Sequence, residues 1–400
     1  MTSEERKNAR RQRRIAERSR KKGEFLAKYN DFSIMTNLDN LYESFRLSRR
    51  GVSWKESVQR YECNIAANLL ETKRQLENGE SVSKGFVEFQ IYERGKVRHI
   101  RSVHISERVV QKCLCDKILV PVMTRSLIYD NGASVKNKGV HFAMKRLRTH
   151  LNKFYNQYKT CDGYALTIDF SKYFDNIRHD ILFYLQKGNF TDEKVFNLYK
   201  SFVTVFGDNI SLGLGSQVSQ ISAISYPNKL DHYVKEVLGI KYYGRYMDDI
   251  YLIHIDKEYL KHCLEEIKRI CASLGIKLNE KKTKIVPLYE GFWFLKGKYI
   301  LLPSGRIICK ASRDGIIRMK RKLKKFKKMY DEGRMSKEDI YQSYQSCRSH
   351  IAHYDSFILV KNMDKFYKEL FHEENKGGRS YERYKKCILS DKRRCSSTSH

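Results

Sequence analysis

Proline is scarce, with four in 400 residues, so long helices go largely uninterrupted. Cysteine pairs at metal-ligand spacing are missing. The ten cysteines are scattered, and the closest two, Cys113 and Cys115, form a C-x-C inside the helix-like run RVVQKCLCDKIL. With no C-x-x-C pair, neither a zinc ribbon nor a disulfide framework is supported. Reduced, buried thiols in a cytoplasmic protein are the expectation. No apolar run approaches the roughly 18 residues of a membrane span. The N-terminal MTSEERKNARRQRRIAERSRKKG lacks the apolar core of a signal peptide. No membrane partner is therefore expected. Acid is the remaining deficit: 46 Asp and Glu face 78 Lys and Arg, a net charge of +32. That imbalance costs self-repulsion and points to a polyanionic partner, most simply nucleic acid. A basic surface kept for solubility is the bland alternative.

What is present reads as an α+β chain. Residues 1–23 form a basic arm, either nucleic-acid-binding or simply solvated. Apolar residues recur at helical spacing from Phe25 to about Asn78, where Gly79 ends the pattern. FVEFQIYERGKVRHIRSV alternates apolar and polar residues around Arg94-Gly95, the pattern of a β-hairpin. Helices follow through ISERVVQKCLCDKILVPVM and over His141 to Tyr158. GYALTIDFSKYF reads as a buried strand entering a turn, with a helix from about His179. A further helix, TDEKVFNLYKSFVTVF, is expected to open at Thr191. SLGLGSQVSQISAISYPNKLDHYVKEVLG reads as a Gly-rich loop leading into one long helix. KYYGRYMDDIYLIHI is strand, tight turn, strand, and KEYLKHCLEEIKRICASLG an amphipathic helix. Short strands KTKIVPL, GFWFL, KYILL and RIICK precede mostly helical sequence, and no internal repeat is visible.

Asp248 and Asp249 stand side by side in the most strand-like segment of the chain. Adjacent like charges repel, and burying them unpaired is expensive. At a hairpin tip they can face a cleft. Asp169 ends another apolar strand, LTIDF, and converges on them if the strands are neighbours. Oxygen-only ligands suit Mg²⁺, which takes phosphate oxygens as further ligands. Two such ions can hold the attacking and leaving oxygens of a phosphoryl transfer. The structural alternative is a helix cap at Asp169 and a polar turn at Asp248-Asp249.

Tyr246-Met247-Asp248-Asp249 resembles the Y-x-D-D motif of reverse transcriptases. The resemblance rests on an ordered series over about residues 90–300: GKVRHI, SERVVQ, LTIDFSKYFDNIRHDIL, GLGSQVSQISAISYPNKLDH, IKLNEKKTKI and GFWFL. It implies a right-hand polymerase fold with an antiparallel-sheet palm, fingers and a helical thumb. The implied domains are fingers with a helical N-terminal extension at 24–160, palm at 161–300, thumb at 301–372 and a basic tail at 373–400. The implied activity is RNA-directed DNA synthesis from dNTPs with two Mg²⁺ ions, Mn²⁺ being the substitute. RNA template and RNA/DNA duplex are the implied partners.

The resemblance also implies roles. Asp169 and Asp248 are the principal metal ligands, Asp249 a supporting acid, and the Phe170 backbone carbonyl a further ligand. Neighbours on one strand do not point the same way. Lys96 and Arg98 neutralise the triphosphate, Arg98 by a bidentate fork; a solvated hairpin face is the alternative. Phe174 excludes a 2′-hydroxyl, or is an ordinary core residue. Leu214 and Gly215 line the nucleotide, and Gly215 permits close backbone approach. Lys282 protonates the pyrophosphate leaving group, with Lys281 and Lys284 close by. Tyr246 lies near the primer terminus, and Phe292 and Trp293 hold the primer or pack in the core. IIRMKRKLKKFKKMY buries one face and offers Lys320, Lys324 and Lys327, among others, to phosphates.

Many prokaryotic members carry P-Q-G then S-P in the second motif; this chain has Gly213-Leu214-Gly215 and Ser219-Gln220. Both departures resemble the diversity-generating retroelement and phage-defence branches, and imply relaxed fidelity. With no room for an RNase H-sized segment after the thumb, a stand-alone enzyme acting on a dedicated RNA is expected, with an accessory protein as a further partner. Mutagenic retrohoming and antiviral defence both remain open. An RNA-directed RNA polymerase and a non-catalytic nucleic-acid-binding protein are the competing readings.

Overall fold

The computed structural model describes residues 2–93, 96–207 and 209–371, without the side chains of Glu93, Lys96 and Arg98. The chain divides into two compact units. One holds the residues up to Leu295 together with Tyr299–Ile307, the other Lys296–Lys298 and the chain from Ile308.

The scarcity of proline is expressed as helix. The first unit opens with α1 (Ser3–Tyr29), α2 (Ser33–Thr36), α3 (Leu38–Ser48), α4 (Glu56–Cys63) and α5 (Ile65–Glu77). Just beyond α5, Gly79 takes φ +69°, a left-handed conformation that glycine adopts without strain. The hairpin follows as β1 (Phe86–Glu93) and β2 (Lys96–Val103), antiparallel with Phe89 opposite Ile100. Next come α6 (Ile105–Cys113), a π-helical stretch at Leu114–Leu119, α7 (Val120–Thr124) and α8 (Val140–Tyr158).

The central sheet is built from β3 (Tyr164–Asp169), β4 (Tyr242–Tyr246), β5 (Asp249–His254) and β6 (Lys284–Pro287), in the order β4-β5-β3-β6. Its three pairings are all antiparallel. β3 lies between β5 and β6 and buries Ala165, Leu166 and Ile168, while Thr167 and Asp169 share a partly exposed side. Between β3 and β4 run α9 (His179–Lys187), α10 (Glu193–Thr204), α11 (Gln217–Ser225) and α12 (Asn228–His232). After β5, α13 (Lys257–Ser273) buries Leu260, Cys263, Ile267 and Cys271. Short strands β7 (Phe292–Phe294), β8 (Gly297–Leu301) and β9 (Ile307–Ala311) follow.

Two expectations are corrected. α10 opens at Asp192, whose carboxylate accepts from the N–H groups of Lys194 and Val195; a carboxylate also complements the helix dipole, and Thr191 is left outside. The Gly-rich loop does not lead into one long helix. Pro227 lacks the N–H that would reach Ala223, so α11 ends at Ser225 and α12 starts at Asn228.

The second unit is a helical bundle of α14 (Arg313–Asp331), α15 (Lys337–Ala352) and α16 (Phe357–Phe371). Ile316, Met319 and Leu323 of α14 join Ile340, Tyr344, Met363 and Tyr367 in its core, with the Tyr344 and Tyr367 rings stacked at 4.4 Å. The basic tail expected at 373–400 lies outside the described residues.

Candidate active site

The antiparallel register of β3 on β5 sets Asp169 opposite Asp249. Directly opposed residues project from the same sheet face, so these two carboxylates share a side. β4 and β5 are joined through a two-residue turn, Met247-Asp248, with Tyr246 opposite Asp249. Met247 takes φ +56°, uncommon for a residue with a side chain but required at the first central position of a tight hairpin turn. The turn is fixed from β3 as well: the Phe170 N–H donates to the Asp248 carbonyl at 3.3 Å. The register thus gives Asp249, and not Asp248, the place facing Asp169; Asp248 sits at the turn itself.

The segment after α13 closes the third side. The Asn279 N–H donates to the Asp169 carbonyl at 2.8 Å, and its side-chain amide to Asp169 Oδ2 at 3.2 Å. Lys282 Nζ donates to Asp169 Oδ1 at 2.6 Å. That hydrogen bond, with the charges of Asp169, Asp249 and Asp248, holds the Lys282 pKa above its ordinary 10.5. One ammonium therefore feels all three acids. A raised pKa keeps Lys282 charged at neutral pH and makes it a weaker proton donor than an unshifted lysine. Among the described residues, no group of three or more His, Cys, Asp and Glu side chains forms a metal cage. The donor chemistry nevertheless fits a hard cation of the Mg²⁺ kind, which is bound through one or two carboxylates plus substrate phosphates.

What holds the turn in place was not foreseen in the sequence. Arg245, in β4, and Asp231, in α12, form an ion pair with both side chains fully buried. The guanidinium makes a fork to both carboxylate oxygens, with contacts between 2.7 and 3.0 Å. The Tyr243 hydroxyl donates to Asp231 at 2.5 Å. The remaining guanidinium donors reach the Met247 carbonyl at 3.1 Å and the Ile224 carbonyl at 2.8 Å. The break at Pro227 frees a carbonyl beside this network. Ala223, deprived of its helical donor, accepts instead from the Tyr173 hydroxyl at 2.6 Å. A charged residue inside an aromatic strand was the available signal; the acid in the mixed stretch YPNKLDHYV gave none.

A second buried group ties the hairpin β1–β2 region to the Gly-rich loop. Glu107 is fully buried, and burial raises its pKa. It accepts from Ser83 Oγ at 3.1 Å and from the Gln111 amide at 3.0 Å. Gln111 in turn accepts from Ser216, the residue that caps α11. Gly215, at φ +117°, lies so close to β2 that an added Cβ would stand 3.1 Å from the Arg101 carbonyl. The close approach seen at Gly215 is therefore to β2.

The other expected site residues are distributed as follows. Phe174, half-buried in a 3₁₀ turn, presents its carbonyl to the Leu212 N–H at 3.0 Å, which brings it beside the loop holding Leu214 and Gly215. Ser219 is buried and its hydroxyl caps the Leu212 carbonyl. Tyr246 is half-buried beside Gly132. The Phe170 ring belongs to the core and touches Tyr173. Phe292 is core too, only 2% exposed, which removes its ring from any primer contact; Trp293, 52% exposed, is the available side chain of that strand. The side chains of Lys96 and Arg98 lie outside the described residues. In the second unit, Lys324 is exposed. Lys320 lies over the Phe366 ring at 5.1 Å, and Lys327 pairs with Asp331 at 2.5 Å.

Solved structures with a similar course include telomerase from Candida albicans in complex with a fragment of telomeric RNA, at 11% identity and TM-score 0.45. The match covers 72% of this chain and 61% of that one. Apo telomerase from Candida tropicalis, truncated from its C-terminal domain, matches at 13% identity and TM-score 0.45, over 61% of this chain and 60% of that one. The chain thus spans less than two thirds of the length of these neighbours. No curated protein matches it. Residues 85–300 match the family described as reverse transcriptase (RNA-dependent DNA polymerase). That match takes in β1–β7, all but the last residue of β8 and all three acids, and the chain belongs to the reverse transcriptase family.

Proposed function

We propose that this protein is an RNA-directed DNA polymerase whose nucleotidyl-transfer centre is Asp169, Asp248 and Asp249. The observation that carries the reading is the register of β3 on β5, which opposes Asp169 and Asp249 with Asp248 at the adjoining turn. Their carboxylates would hold Mg²⁺, with Mn²⁺ as a substitute. When bound with the triphosphate, such ions stabilise the charge on the attacking and leaving oxygens of the displacement. The chain's own part is to orient. Asn279 and Lys282 fix both oxygens of Asp169, and the Arg245–Asp231 pair holds the turn. Lys282, on the acids before substrate arrives, is placed to meet phosphate charge once a cation replaces it on Asp169. Lys96, Arg98 and the Leu214-Gly215 loop serve the incoming dNTP, Phe174 its sugar, and Tyr246 and Trp293 the primer. The α14 lysines serve the RNA/DNA duplex by charge alone.

Leu214 and Ser219-Gln220 support a place in a diversity-generating retroelement or an antiviral defence system, where a dedicated RNA and an accessory protein would be its partners. The test is extension of a DNA primer on an RNA template with dNTPs and Mg²⁺. Asp169→Asn is expected to cut the rate by about 10³-fold, the equivalent of roughly 4 kcal/mol of transition-state stabilisation. Preferred incorporation of NTPs would favour an RNA-directed RNA polymerase; full activity in Asp169→Asn would remove this site from the chemistry.

A further inference from the structure

The N-terminal helix α1 is not used by the polymerase reading. It begins at a capping box, in which the Glu5 N–H donates to the Thr2 hydroxyl and the Thr2 N–H donates to the Glu5 carboxylate. Among the described residues, its buried contacts lie at its far end. Leu26 is buried, the Arg125 guanidinium lies over the Phe25 ring at 4.1 Å, and the Asn30 amide donates to the Leu26 and Asn189 carbonyls. Every residue from Arg10 to Glu24 is exposed.

Its charges are sorted. At about 100° per residue, Lys7, Arg11, Arg14, Arg18 and Lys22 fall within an arc of about 80° and run about 22 Å along the axis. None of the five makes an ion pair among the described residues. Of the acids, Glu4 stands at the edge of the stripe, three residues before Lys7, and the others are engaged elsewhere: Glu5 in the cap, Glu17 with Lys21 at 2.6 Å, Glu24 with Arg20 at 2.5 Å. One flank carries Asn8, Gln12, Ser19 and Ala16, and the side away from the stripe carries Ala9 with Arg13 and Arg20. Like charges at three- and four-residue spacing destabilise a helix, so this stripe is a cost to the free protein that a polyanion would relieve.

We propose that the Lys7–Lys22 stripe docks on the phosphates of duplex RNA, as a second RNA-binding surface apart from the polymerising centre; the choice of RNA rests on the function proposed above. The stripe has no apolar side to insert into a membrane: Ile15 is the one large apolar residue between Ser3 and Glu24. Nor does it offer the aromatic platforms on which single strands stack, the rings of Phe25 and Tyr29 lying at the moored end. A straight row of cations suits the fixed phosphates of a duplex.

The test replaces the five with glutamine in the full chain (K7Q/R11Q/R14Q/R18Q/K22Q), which keeps helix propensity. Binding is measured to an unprimed RNA duplex, to single-stranded RNA of equal length, and to vesicles of phosphatidylcholine and phosphatidylserine, over a salt series. The slope of log K against log salt for the duplex is expected to become shallower by about 3.5 to 4.5, with affinity falling tenfold or more at about 0.1 M salt. Turnover on saturating pre-annealed primer and template is expected to stay within about twofold. An unchanged duplex slope, or an equal loss on single strands or vesicles, overturns the proposal. If wild-type protein extends no primer, it is the polymerase reading that fails, and the duplex slope still judges the stripe.

Discussion

Asp231→Asn gives the sharpest test of how the acidic turn is held. The substitution keeps the shape of the side chain and removes its charge, leaving the Arg245 guanidinium in a site from which both partners are fully shielded. Removing one partner of a buried pair costs about 3–5 kcal/mol, because the other charge is left uncompensated. The variant is therefore expected to melt well below wild type and to lose primer-extension activity. Destabilisation alone would not show that the pair positions the turn. The discriminating variant is Asp231→Leu/Tyr243→Phe/Arg245→Met, which replaces the whole polar group with apolar side chains. Such replacements are often neutral or stabilising, so the melting temperature is expected to recover most of the loss. The Met247 carbonyl still lacks its donor in that variant. Its kcat is expected to stay down by about tenfold or more, roughly the 1.4 kcal/mol that one hydrogen bond contributes, with the dNTP KM little changed. Recovery of both stability and kcat would refute the positioning argument. So would a loss that appeared only in KM.

Lys282→Gln is expected to lower kcat, and Lys282→Arg to restore part of it by keeping a positive charge beside the acids to meet phosphate. Without divalent cation the Asp169 hydrogen bond holds the folded pKa of Lys282 above 10.5, so the stability from this pairing is present below that value and is lost only as pH rises through the folded pKa; urea unfolding in the presence of a chelator should show no Lys282-dependent change between about pH 7 and 9, and a change abolished by Lys282→Arg would contradict this. Glu107 has the opposite consequence. Its folded pKa is raised above the usual 4.5 by burial, so stability declines as pH climbs from there through the folded value, and Glu107→Gln should flatten that slope in urea-unfolding measurements. Phe174→Ala is expected to raise NTP incorporation relative to dNTP in the primer-extension assay; wild-type discrimination in the variant would return Phe174 to a packing role.

Asp169, Asp248 and Asp249 were legible in the sequence because Asp169 ends one apolar strand, Asp249 begins another and Asp248 stands in the turn just before it, where an acid has no packing reason to be. The β1–β2 hairpin and the amphipathic α13 and α14 were legible for a related reason: their periodicity is local, and local pattern is what sequence displays. The break at Pro227 was readable too, yet a strong helical pattern on both sides concealed it. Other features exist only through partners far away in the chain. Arg245 and Asp231 read separately as a charge in a strand and an acid on a helix, and only folding makes them one buried pair. The precedence of Asp249 over Asp248 opposite Asp169 depends on strand register, which a shift of one residue would reverse. Phe292 and Trp293 are neighbours of similar chemistry, and strand pleat alone buries one ring and exposes the other. By itself the sequence determined the chemistry available: three acids, a lysine, a surplus of cations and the strands to carry them. The tertiary structure decided which carboxylates face each other, what fixes their turn, and which side chains remain open to a substrate, because those outcomes depend on contacts between residues that no local pattern connects.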